Sequence, residues 1–281
     1  MKYIAITTFN KPYYDNMANK MVETYLKFWP KDIPLYVYTE DMKLPVQAEN
    51  LKELDVYENC PGLKEFLEWR GDHFTRGMAY KTYAFISAYK NIDCDVIVYL
   101  DADSVTYKPI THDFLDSLLP NNELTAYMGV TMNKGKWKGN ETENAETCIY
   151  LFNKKHPGAK MFMDHYEYIY ESREIDDRQR FKKPHDTWAF TECVQKVLTA
   201  GHKVNDLHPT RKAHSPLKET VLGDYFRHFK GARKLDNNID SYVDELAETG
   251  VDNKQKIKRA DNPLKDIEKK NRFFRTREEN V

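Results

Sequence analysis

Hydrophobic and polar positions divide the chain into short apolar runs and longer helical stripes. "KYIAITT", residues 2–8, is a nearly unbroken apolar run that predicts a buried strand, followed by Phe9, Asn10, Lys11 and Pro12 as a loop. "YYDNMANKMVETYLKFW" then sets Met17, Met21, Tyr25 and Phe28 on one helical face. Pro30 and Pro34 bracket a turn before the strand "LYVYTED". "GMAYKTYAFISAYKN" predicts a helix with Tyr80, Ala84 and Ala88 in register, feeding directly into the strand "DVIVYL". Strands that alternate with helices need crossover connections, so the expected class is α/β, a mostly parallel sheet flanked by helices.

The second half reads differently. "LTAYMGVTM" and "TCIYLFN" are strands separated by the polar loop "NKGKWKGNETENAE", which suggests antiparallel additions to the sheet. "GAKMFMDHYEYIYE" and "DTWAFTECVQKVLTA" are helices, the second stopped by Gly201, and "HKVNDL" is a short strand. After Lys234, "LDNNIDSYVDELAETGVD" carries six acidic residues and no basic one, and a strongly basic stretch follows. The expected organisation is one domain over 1–235 and a charged helical or flexible appendage over 236–281.

Composition narrows the class. A formal net charge of -1 over 281 residues argues against a global basic field for a polyanion. Aromatic residues at 13% argue against wholesale disorder. Cys60, Cys94, Cys148 and Cys193 lie far apart without a CxxC pair, so neither a zinc site nor a disulfide framework is expected, and a reducing, cytoplasmic setting is. The apolar patch in "MKYIAITTFN" is too short for a signal peptide or a membrane span, and no other run approaches one.

The candidate chemistry begins where "DVIVYL" runs into Asp101-Ala102-Asp103. In open α/β sheets ligands bind beyond the carboxyl ends of the strands, and an extended backbone would put both carboxylates on one side. Such a pair can hold Mg2+ or Mn2+, which bridges phosphate oxygens; the alternative is a strand-ending turn whose carboxylates face water. "LGDYFRHFKGARK" adds His228 as an imidazole ligand, Gly231 for close backbone approach, and Lys230, Arg233 and Lys234 as diphosphate donors. Together the two segments supply what a metal–diphosphate site needs.

"YLDADS" followed far downstream by "HFKGARK" resembles the GT-A fold glycosyltransferases, especially glycogenin-like retaining enzymes with a DxD and a late HxxGxxK. The pattern is most similar to small phage and viral glycosyltransferases, on Tyr80-Lys81, "ETCIYLFN", a tryptophan–aspartate motif and the "LGDYFRHFKGARK" segment, in order over residues 1–240. The resemblance implies a Rossmann-like GT-A sheet and transfer of a hexosyl or pentosyl group, with retention, from a nucleoside diphosphate sugar such as a UDP-sugar. It implies Asp101, Asp103 and His228 as metal ligands for Mn2+ or Mg2+, with Asp101 also reaching the donor. Lys230, Gly231 and Arg233 would hold the diphosphate, Thr7, Thr8 and Phe9 would line the nucleoside pocket, and Lys81 and Arg76 would face the donor. Lys81 is equally readable as an exposed helix lysine. Two positions depart from the pattern: Cys148 stands where a Gly is usual and would tighten the acceptor pocket, and Arg227 stands where an Asp is usual.

On the acceptor side, Asp186, placed ahead of Glu146, would take the acceptor proton or support a developing oxocarbenium ion, and Trp188 would stack on a sugar or base. Asp186 also fits a helix N-cap. The phage-type resemblance raises a hydroxymethylated DNA base as acceptor, with Phe273 and Phe274 between Arg272 and Arg275 offering stacking and phosphate contacts. Glycan, lipopolysaccharide or protein acceptors stand beside it. From other classes, a non-catalytic nucleotide-sugar or nucleic-acid-binding module and a metal-dependent nucleotidyltransferase or phosphohydrolase remain open.

Overall fold

A computed structural model describes residues 1–69, 73–132, 142–177, 185–208, 216–229 and 239–250, with side chains left out at 73–76, 131–132, 142–143 and 239–240. The strands are β1 (Tyr3–Asn10), β2 (Leu35–Glu40), β3 (Leu51–Asp55), β4 (Val96–Leu100), β5 (Ser104–Thr106), β6 (Thr125–Met132), β7 (Thr142–Asn153), β8 (Asn205–Asp206) and β9 (Phe226–His228). The α-helices are α1 (Lys11–Tyr13), α2 (Asn19–Phe28), α3 (Val56–Asn59), α4 (Leu63–Trp69), α5 (His73–Asn91), α6 (His112–Ser117), α7 (Ala159–Glu171), α8 (Asp186–Thr199) and α9 (Ile239–Thr249). A wide π turn, Tyr14–Ala18, joins α1 to α2.

Seven strands form one sheet in the order β3-β2-β1-β4-β7-β6-β8. Only β7 runs against its neighbours β4 and β6; all other pairings are parallel. The class expected from the alternation of strands and helices is therefore the observed one, a mixed, mostly parallel α/β sheet. β1 and β4 are buried on both faces, which explains why their sequences are continuous apolar runs rather than alternations.

Chain order reverses between β1, which continues to β2 on one side, and β4 on the other. The crevice beyond their carboxyl ends is where such sheets admit ligands, and Asn10 and Asp101 mark those ends. One sheet face packs on α5, α7 and α8 through edge-to-face rings, Phe85 meeting Tyr150, Phe152 and Tyr166 at 5.2–6.1 Å. The other face packs on α2 and α6 through Met21, Val22, Tyr25, Phe114 and Leu115.

Gly201 ends α8 as anticipated. It takes φ +83°, and the Gly201 and His202 N–H groups donate to the carbonyls of Leu198 and Val197. The acidic segment after Lys234 contains α9, whose Val243 packs with Met17, Val105 and Phe229. Among the described residues no helix is long and apolar enough to cross a membrane.

Candidate active site

Asp101 and Asp103 converge by a turn rather than by extended alternation. The Ser104 N–H donates to the Asp101 carbonyl at 2.9 Å, folding the chain back directly after β4. The chain then enters β5, which pairs antiparallel with β9 so that Ser104 stands opposite His228. The Phe229 N–H caps the pairing on the Asp103 carbonyl at 2.9 Å. His228 Nε2 thereby lies 3.0 Å from Asp103 Oδ1 and 3.7 Å from Asp101 Oδ2. The sequence posed a choice between a ligand pair and a turn whose carboxylates face water; the chain does turn here, but Asp103 is only 4% exposed.

Gly223 helps to hold this strand pair. An added Cβ there would meet the Leu217 carbonyl oxygen at 2.4 Å, so the two short turns before β9 close only over a glycine.

Behind the carboxylates sits Lys81. It is 6% exposed, which excludes the surface-lysine reading. Its ammonium lies 2.8 Å from Asp101 Oδ1 and 3.2 Å from Asp186 Oδ2, donates to the Thr147 carbonyl, and stands 4.5 Å above the Tyr99 ring. Burial pulls the Lys81 ammonium down, but Asp101 and Asp186 outweigh it and hold it above its ordinary value. Burial pushes the Asp101 carboxyl up; Lys81 and His228 pull against this and Asp103 adds to it, and the balance stays high. A half-buried and a buried carboxylate beside an imidazole suit a divalent cation, and the donor atoms of Asp101, Asp103 and His228 lie within 4.8 Å of one another.

Asp186 is not the N-cap of α8. His185 takes that place, its Nδ1 accepting from the Thr187 N–H, because Asp186 has already turned inward as the first helical residue. There it is 1% exposed and accepts from the Thr147 hydroxyl at 2.7 Å. Burial would raise its pKa, yet Lys81, His185 and Thr147 hold the carboxyl well below the usual range. Glu146, one strand residue before Thr147, is half-buried, and its carboxylate is within 4.8 Å of Cys148 Sγ and a His228 nitrogen. Trp188, in the first turn of α8, is half-buried and packs on the core.

At the end of β1, Thr7 is fully enclosed, Phe9 packs on Tyr14 with ring centroids 5.7 Å apart, and Thr8 alone of the three is partly open. Arg76 lies in α5, but its side chain, like the whole of Lys230, Gly231 and Arg233, is outside the described residues. Alternation along β9 turns Arg227 away from His228, onto the face of its cross-strand partner Val105.

Tyr13 was missed as a site residue. Its hydroxyl donates to Asp103 Oδ2 at 3.0 Å, and burial with Asp103 and Asp101 nearby pushes its pKa far up, so it remains a donor. The available signal was an aromatic directly after the carboxyl end of the first strand.

No protein-family model matches the chain, and no curated protein matches it. Among solved structures it is similar to mouse xyloside xylosyltransferase 1, at 14% identity over 80% of this chain and 92% of that one, with a TM-score of 0.46. It is also similar to the galactosyltransferase LgtC in complex with donor and acceptor sugar analogs, at 15% identity over 88% and 95%, TM-score 0.46. The mannosyltransferase Ktr4p from S. cerevisiae matches at 8% identity over 67% of this chain and 65% of that one, TM-score 0.46. At such scores these likenesses carry no assignment of activity, which has to come from the side chains.

Proposed function

We propose that the chain is a divalent-cation-dependent glycosyltransferase of the GT-A type, moving a sugar from a nucleoside diphosphate sugar to an acceptor hydroxyl. One observation carries the reading: Asp101, Asp103 and His228 converge at the carboxyl end of β4, in the crevice where chain order reverses. Mn2+ or Mg2+ held there would neutralise the diphosphate as the glycosyl–phosphate bond breaks.

The chain's own residues do the rest. Tyr13 and Lys81 orient the two carboxylates, Asp103 by a hydroxyl donor and Asp101 by an ammonium. Asp186, enclosed behind Lys81, acts by positioning that ammonium rather than by meeting the acceptor. This leaves half-buried Glu146 as the acceptor-side carboxylate, beside His228. Lys230 and Arg233, directly after β9, are assigned to the diphosphate on sequence position. Retention of configuration, a UDP-sugar donor and a hydroxymethylated DNA base as acceptor belong to this proposal through the glycogenin-like and phage-type motifs; glycan, lipopolysaccharide or protein acceptors are its alternatives.

The test is a panel of nucleotide sugars with Mn2+, reading nucleoside diphosphate release with and without hydroxymethylated DNA. Release that requires the metal and is lost in Asp103→Ala supports the reading. Release of nucleoside monophosphate or inorganic phosphate instead would move the chain to another enzyme class. Stimulation by hydroxymethylated DNA alone would select that acceptor.

A further inference from the structure

We infer that the site contains a second, thiolate-bearing cation position, built from Glu146, Cys148 and His228, which takes Zn2+ and competes for the imidazole that the Asp101–Asp103 position needs. The competition, and hence inhibition by Zn2+, rests on the transferase reading; the binding position does not.

Strand geometry makes the cluster. Residues 146 and 148 of β7 share a face, and the Asp101 N–H donates to the Cys148 carbonyl at 2.7 Å, fixing Cys148 beside the metal turn. The β5–β9 pairing brings His228 to that same side. As a result a Glu146 carboxylate oxygen, Cys148 Sγ and a His228 nitrogen all lie within 4.8 Å of one another. A tetrahedral zinc, with Zn–S near about 2.3 Å and Zn–N near about 2.0 Å, sets its ligand atoms roughly 3.3–3.6 Å apart. Side-chain adjustment of about an ångström closes the difference.

Ligand chemistry separates the two positions. Two carboxylates and an imidazole accept Mg2+ or Mn2+, whereas a thiolate, an imidazole and one carboxylate favour the softer Zn2+ and leave a fourth place for water. The Cys148 thiol proton passes to solvent as the Zn–S bond forms. Cys148 is 0% exposed, so bulk reagents do not reach this thiol. His228 belongs to both sets, and one imidazole close to two dications serves one of them at a time.

Cobalt tests the position without any assay of turnover. Metal-free full-length protein titrated with Co2+ should develop a thiolate-to-cobalt charge-transfer band that stoichiometric Zn2+ removes and excess Mg2+ does not. Cys148→Ser should abolish the band, and Glu146→Gln should weaken Co2+ binding about tenfold or more. No band in the wild-type protein, or a band that survives Cys148→Ser, overturns the proposal, and the wild-type measurement decides even if a variant fails to fold. In Mn2+-supported diphosphate release, Zn2+ should inhibit the wild type at concentrations at least tenfold lower than Cys148→Ser; equal inhibition overturns the competition. A protein that shows the band yet turns over no nucleotide sugar keeps the zinc position and loses the transferase reading.

Discussion

The Lys81 ammonium and the Asp186 carboxylate meet 3.2 Å apart with almost no solvent access to either, and the same ammonium reaches Asp101 at 2.8 Å. One buried cation therefore braces two acidic groups from different elements, the end of β4 and the first turn of α8. Replacing it by an apolar side chain removes the ammonium from both carboxylates and leaves the buried Asp186 to Thr147 and His185. Lys81→Met should destabilise the fold by about 3–5 kcal/mol, the range for removing one partner of a buried ion pair. Urea unfolding checks this; a loss below about 1 kcal/mol would contradict the arrangement.

Asp186 gives the pair a pH signature. Its folded pKa is depressed, so the stability it contributes is complete above the unfolded value of about 3.9 and is lost as pH falls through the folded value. The wild type should therefore exceed Asp186→Asn by a constant margin from about pH 5 to 8 and by a shrinking one in stronger acid. Urea midpoints of both proteins across acid pH measure the margin. Widening on acidification would reverse the assigned sign.

Tyr13 reaches the Asp101–Asp103 turn through its hydroxyl. Tyr13→Phe keeps the ring and removes the donor to Asp103, an outer-layer change that typically costs about 10–100-fold in metal affinity. The Mn2+ concentration for half-maximal binding should rise accordingly while thermal stability moves little. An unchanged Mn2+ titration would show that the hydroxyl is dispensable.

Gly223 links packing to the site. Its substitution by Ala forces a methyl against the Leu217 carbonyl, an overpacking expected to cost about 1–3 kcal/mol, and the chain it displaces leads straight into β9. Gly223→Ala should weaken Mn2+ binding as well as stability, although it lies outside the ligand set. Calorimetric titration and melting on the same sample read both.

The sheet was legible because β1 and β4 are apolar throughout and α5, α7 and α8 carry clear helical stripes, with Gly201 marking a stop. The convergence of Asp101, Asp103 and His228 was legible in residue type, as carboxylates after a buried strand and a late histidine. What the sequence concealed is how they meet. β5 and β9 are three residues each, too short for periodicity to register, so the turn at Asp101–Ser104 was read as extended backbone. The burial of Lys81 was equally hidden, because its partners Thr147 and Asp186 lie far along the chain and no local pattern announces an ion pair. Cys148 shows the same limit: cysteine spacing argued against a zinc site, while folding places its sulfur beside an imidazole and a carboxylate.

The register of Ser104 opposite His228 also sets a schedule for synthesis. Both aspartates leave the ribosome while the histidine has yet to be translated, so a nascent chain ending anywhere before β9 carries the two carboxylates of the proposed set without its imidazole. On the proposed reading, cation affinity would be acquired only once His228 is translated, and tight Mn2+ binding would serve as a direct gauge of how many chains have completed β9.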